Sequence, residues 1–90
     1  MPRIVITHGV QDVERWLRGK DERASELPGA TNVIDLVAID GSTHTAVAFD
    51  VVDLDALTAT LTEMPADMAA RAESHGVVVS TLSVYVEAYV

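Results

Sequence analysis

The chain has 90 residues, 49% hydrophobic and 22% charged, which sets one globular domain over residues 1–90 and excludes a disordered polymer. The net charge of −8 gathers beyond Thr31, where Arg71 is the only basic residue, and such a surface excludes nucleic acid and anionic membranes as partners. With no cysteine, disulfides, thiolate nucleophiles and cysteine-based metal sites are excluded as well.

Arg3 to Val10 is short and rich in β-branched residues, so it reads as a strand, with Ile4, Ile6, His8 and Val10 on one face and Val5 and Thr7 on the other. Asp12 stands where a helix N-cap belongs, and Val13, Trp16, Leu17, Ala24 and Leu27 recur at helical spacing up to Pro28-Gly29. The spacing predicts one amphipathic helix over 13–27. Thr31 to Asp40 reads as a second strand, with Val33, Val37 and Ile39 opposite Ile34, Leu36 and Ala38. After the turn Asp40-Gly41-Ser42-Thr43, a third strand runs from His44 to Val52. Asp53 caps a second helical stretch with a stripe of Leu54, Leu57, Leu61 and Met64; Pro65 interrupts it, and Gly76 stops it. Val77 to Val90 reads as the last strand, with Leu82, Val84, Val86 and Ala88 on one face and Thr81, Ser83, Tyr85, Glu87 and Tyr89 on the other.

The order is β-α-β-β-α-β, a ferredoxin-like α+β domain. Right-handed crossovers place the first and third strands at the centre of a four-stranded antiparallel sheet, with both helical stretches on one face. Several strands are apolar on both faces, which is costly for a sheet with one face in water. A chain this short also buries only about 60% of its unfolded surface. The expectation is therefore a homodimer whose second copy covers the open face. No basic segment followed by an apolar run leads the chain and no stretch is long enough to span a membrane, so the expected location is cytoplasmic.

Two stretches carry a resemblance. Ile6-Thr-His-Gly-Val-Gln-Asp-Val-Glu-Arg-Trp16 and Phe49-Asp-Val-Val-Asp-Leu-Asp-Ala-Leu57, with the helix exit Met68 to Val77 ending in His-Gly-Val, are similar to the dimeric α+β barrel superfamily. That group includes antibiotic-biosynthesis monooxygenases, small polyketide cyclases and stress-responsive A/B-barrel proteins. The resemblance implies two sheets joined into a barrel, and a hydrophobic small molecule, aromatic or polyketide-like, handled without cofactor. Two departures stand out. Asn32 is the sole asparagine, where such monooxygenases line their pockets with Trp, Tyr and Asn, and no basic cluster suits haem propionates.

His8 is the candidate catalytic acid or base, on an apolar strand face near a central strand end; the alternative is a buried histidine held by one hydrogen bond. Trp16, Phe49, Met64, Met68 and Tyr85 are the candidate ligand-binding residues, each also readable as core or interface packing. Ala46 and Ala48 leave room for a ligand. His44 reads as solvated and His75 as a helix-end histidine favoured by the dipole. The three histidines have no metal-ligand spacing, so no metal is expected. Asp50, Asp53 and Asp55 lack the loop glycine and distal glutamate of a calcium site and read as caps. Asp35 reads as a wet-edge acid or a partner of Arg3. The residues admit an enzyme and a non-enzymatic binding or structural dimer alike.

Overall fold

The computed structural model describes residues 2–26 and 29–88. Its elements are β1 (Arg3–Val10), α1 (Val13–Arg18), α2 (Lys20–Glu26), β2 (Ala30–Val37), β3 (His44–Val51), α3 (Leu54–Thr62), α4 (Ala66–Ser74) and β4 (Val77–Val86). The strands form one antiparallel sheet in the order β2-β3-β1-β4, so β1 and β3 are central as the crossover rule requires.

The helices cover the sheet face that carries Ile4, Ile6, His8 and Val10. Ile4, Phe49 and Val51 are fully shielded and pack with Ile6, Val47 and Leu57 into the main core. A second cluster joins Val10, Trp16 and Val77, tying α1 to the sheet. Burial of side chains this size supplies about 1.5–3 kcal/mol each, which is what keeps the helices on this face.

Caps fix where the helices begin. Asp12 accepts from the backbone amide of Glu14 at 3.0 Å, and Asp53 from that of Ala56 at 3.0 Å. Pro65 ends the α3 run and starts α4, as its missing N–H dictates.

Three boundaries differ from the sequence reading. The expected helix over 13–27 is two helices broken at Gly19, and Leu27 lies outside the described residues. Gly19 stands at the break, and its lack of a side chain has a steric reason: a Cβ there would stand 2.8 Å from Nδ1 of His75, so only glycine lets that ring lie against the chain. β2 ends at Val37 rather than Asp40, because the backbone turns there: Gly41 donates to the carbonyl of Ala38 at 3.1 Å, and Ile39 is fully exposed. β4 ends at Val86, and Tyr89 and Val90 lie outside the described residues.

The open face has a regular cross-strand layout. One row runs Ile34, Ala48, Val5, Tyr85, and the next runs Leu36, Ala46, Thr7, Ser83. Ile34 is 45% exposed, Leu36 44% and Tyr85 57%, so the two edge strands of this face carry uncovered apolar side chains on either side of the small Ala46 and Ala48. A polar network closes one end of it. Asp50 on β3 accepts from Nε of Arg3 at 3.2 Å and from Nδ2 of Asn32 at 3.0 Å, linking three strands. Arg3 thus pairs with Asp50 and not with Asp35, which lies half-buried opposite Val47.

Candidate functional site

A cleft opens between the sheet and the α3–α4 pair, with a volume of about 90 Å³. Its floor is Ile6, His8 and Val47 from the central strands, with Val77 and Leu82 from β4. Its roof is Leu61, Met64, Met68 and Ala72, with His75 at the far end. Pro65 lies within the roof: α3 ends at Thr62 and α4 begins at Ala66, so Met64 lines the cleft from the connection and Met68 from α4.

His8 is 6% exposed and held on two sides. Thr45 Oγ1 donates to the His8 carbonyl at 3.1 Å and lies 2.9 Å from Nδ1 of the same residue. A threonine hydroxyl has one proton. With that proton on the carbonyl, the second contact is Nδ1–H donating to Oγ1, which makes Nε2 the basic nitrogen of the ring. Trp16 meets the imidazole edge-on, with ring centroids 5.3 Å apart and planes at 76°. A base fixed by a third group and backed by an apolar wall is the arrangement general acid–base chemistry uses.

The β1–β4 ladder is interrupted at the same point. Thr7 pairs with Ser83 and Gly9 with Val78, so several β4 residues stand opposite His8 alone. The amide of Gly9 is satisfied by Thr81 Oγ1 at 2.8 Å, and that hydroxyl donates to the carbonyl of Val78 at 2.6 Å. Such bulges locally end strand pairing and re-aim side chains.

His75 completes the cleft and is a residue that the sequence reading placed only as a helix end. Its Nε2 lies 3.1 Å from Oε2 of Glu22, and its side chain is 16% exposed. Nδ1, Cε1 and Cγ stand 2.8 to 3.0 Å from the position a Gly19 Cβ would take, so the ring lies flat over Gly19. Arg15 fastens the same corner by donating from Nε and Nη2 to the carbonyl of Ser74 at 3.1 and 2.6 Å.

The structure therefore gathers His8, Met64 and Met68 around one cleft, with Trp16 behind His8. Phe49 does not reach it; it lies in the main core beside Ile4 and Leu57, because its strand position faces the centre of the helical layer. Tyr85 is on the opposite face, paired with Val5, where strand alternation puts it. Ala46 and Ala48 share that open face. A wider, open hollow of about 350 Å³ lies at its end, lined by Ala46 with Thr7, His8, Leu36, Thr45 and Thr81 among others, so His8 borders both hollows. The room Ala46 leaves is thus on the uncovered side of the sheet, and Ala48 lies outside the hollow.

No family model matches the chain, and no curated protein matches it in sequence. Solved structures do match in fold. A protein from Bordetella bronchiseptica designated an antibiotic biosynthesis monooxygenase superposes with a TM-score of 0.66 at 12% identity, covering 99% of this chain and 96% of that one. A second structure with the same designation gives 0.63 at 11%, covering 100% and 99%. A third, from Deinococcus radiodurans, gives 0.58 at 10%, covering 100% and 93%. The chain has the ferredoxin-like fold of these antibiotic biosynthesis monooxygenase-like proteins across its full length, and the likeness is one of fold.

Proposed function

We propose that the protein is a homodimeric α+β barrel in which each copy binds a small apolar molecule in the cleft, and that His8 takes a proton from that ligand. The observation that carries the reading is a cleft under α3 and α4 that combines an almost wholly apolar wall with an imidazole fixed by Thr45. An apolar wall selects by shape and burial, and one oriented base selects for an acidic hydroxyl. A phenol or an enolised, polyketide-like ring meets both demands. The step is a proton transfer: the ligand O–H bond breaks, and an N–H bond forms on His8. The fold it shares with the designated monooxygenases supports ligand chemistry of this kind.

The dimer half of the reading rests on the open face. Rows of Ile34, Leu36 and Tyr85 left in water are offset most simply by the same rows of a second copy, since a twofold axis makes any such patch self-complementary.

Trp16 is the only tryptophan, and its ring stands against His8, so its emission reports on the cleft. Titration with single-ring phenols should change that emission saturably. Ala72→Leu, which fills the cleft from α4, should abolish the change while leaving the fold intact. No saturable change with any phenol would overturn the reading. It would favour the second one, a non-enzymatic structural dimer, for which the small cleft speaks: ligand pockets usually run to about 300–1,000 Å³.

A further inference from the structure

The peptide that joins His8 to Gly9 is held by two threonine hydroxyls, one from each neighbouring strand. On the β3 side, Thr45 Oγ1 donates to the His8 carbonyl at 3.1 Å. On the β4 side, the Gly9 amide donates to Thr81 Oγ1 at 2.8 Å. We infer that Thr81 is a positioning residue for His8: from within the β4 bulge it holds this peptide against Thr45, and so keeps the imidazole proton on Nδ1 and the lone pair on Nε2. The inference rests on the proposed role of His8 for its consequence, and adds to it the residue that keeps the base in its working tautomer.

The interrupted ladder puts Thr81 there. Thr7 pairs with Ser83 and Gly9 with Val78, so residues 79–82 of β4 stand opposite His8. Within that stretch the Thr81 side chain lies directly on Gly9: a Cβ at position 9 would stand 3.5 Å from its Oγ1 and 3.9 Å from its Cγ2.

A hydroxyl has one proton to give, and that sets the direction of the whole chain of bonds. Thr81 gives its proton to the carbonyl of Val78 at 2.6 Å and accepts from Gly9. Thr45 gives its proton to the His8 carbonyl and accepts from Nδ1, 2.9 Å away. Such bonds polarise one another, and the two ends of one planar peptide cannot turn separately. If the Gly9 end loses its acceptor, the carbonyl end swings off Thr45. The Thr45 proton is then free to donate to Nδ1, which requires the ring proton to sit on Nε2.

Thr81 is exposed on an edge strand, so substitutions there leave the core alone. Imidazole nitrogen NMR of the ligand-free protein reads the tautomer at a pH where the rings are neutral, with His8→Gln identifying the His8 signals. Wild type should carry the His8 proton on Nδ1, and its Gly9 amide should resist solvent exchange. Thr81→Val keeps the shape without the hydroxyl. It should lower the ratio of Nδ1–H to Nε2–H about twofold or more, the effect of weakening one hydrogen bond, and Thr81→Ser should restore it. A merely structural threonine would change stability and leave the tautomer alone, so an unchanged ratio in Thr81→Val would overturn the inference. A wild-type His8 proton on Nε2, or a freely exchanging Gly9 amide, would overturn it without any variant. Phenol titration followed by Trp16 emission keeps the two readings apart. A tautomer that follows Thr81 in a protein that binds no phenol would support this inference and overturn the ligand reading.

Discussion

Gly19 lies beneath the imidazole of His75 so closely that a Cβ at position 19 would stand 2.8 Å from Nδ1. The backbone there needs no glycine, since its φ of −87° suits any residue. Space is the only reason for it. Alanine should favour a continuous helix by about 1 kcal/mol. Overpacking against the ring should cost about 1–3 kcal/mol, so Gly19→Ala is expected to destabilise in urea unfolding. Adding His75→Ala removes the obstacle. The double variant should then be more stable than the sum of the two single changes predicts, and strict additivity would show that the two residues are not coupled.

The hydroxyl of Thr45 serves two groups of His8 at once, its carbonyl at 3.1 Å and Nδ1 at 2.9 Å. Thr45→Val keeps the shape and leaves both groups buried without that partner. The expected loss is about 1–3 kcal/mol of stability, with most of it recovered in Thr45→Ser. Chemical denaturation followed by Trp16 emission measures both. A valine variant as stable as wild type would mean that the hydroxyl neither holds nor orients the imidazole.

Much of this arrangement was legible in the sequence, because its causes are local. Asp12 and Asp53 precede their helices as caps, Pro65 breaks a helix wherever it stands, and crossover handedness alone puts β1 and β3 in the middle. His8 on an apolar strand face was bound to be buried. The illegible features have distant causes. Gly19 gives no sign that a histidine near the other end of the chain rests on it, and His75 could be read only as a helix end. The bulge opposite His8 depends on the Thr81 hydroxyl replacing a ladder partner. Phe49, Ala46 and Ala48 were harder for another reason: β3 is apolar on both faces, so alternation separates the two sets without saying which one meets the helices.

Asp50 makes the fold acid-sensitive. Its carboxylate is held below the usual carboxylate range, first by the hydrogen bond from Asn32 and then by that from Arg3. A carboxylate with a lowered folded value adds stability that is complete above about pH 4–5 and is lost as pH falls through that lowered value. Asp40, lowered chiefly by the backbone amide of Ser42 at 2.9 Å, acts in the same direction. Asn32 has a left-handed φ of 55°, which glycine adopts more readily. Asn32→Gly should therefore keep the β2 backbone, drop the amide bond to Asp50, and flatten the dependence of unfolding midpoint on pH below 5. An unchanged acid slope would show that the Asn32–Asp50 bond does not survive in solution.

The open face makes the remaining prediction. Leu36 and Ile34 lie at its β2 edge, Tyr85 lies on β4, and the small Ala46 and Ala48 lie between them, so the face is a shallow apolar trough with raised sides. A second copy laid across it would set its own raised rows against these and bury both. Asp50, Arg3 and Asn32 would stay at the rim, where polar groups belong. Wild-type protein at micromolar concentration should sediment at twice the chain mass. Leu36→Glu puts a charge where pairing would desolvate it, and should give a monomer with lower stability, since the core cannot gain what the interface lost. Asn32→Gly, at the rim, should leave the dimer in place. A wild-type monomer at that concentration would remove the dimer from the proposed function and leave the cleft to be judged alone.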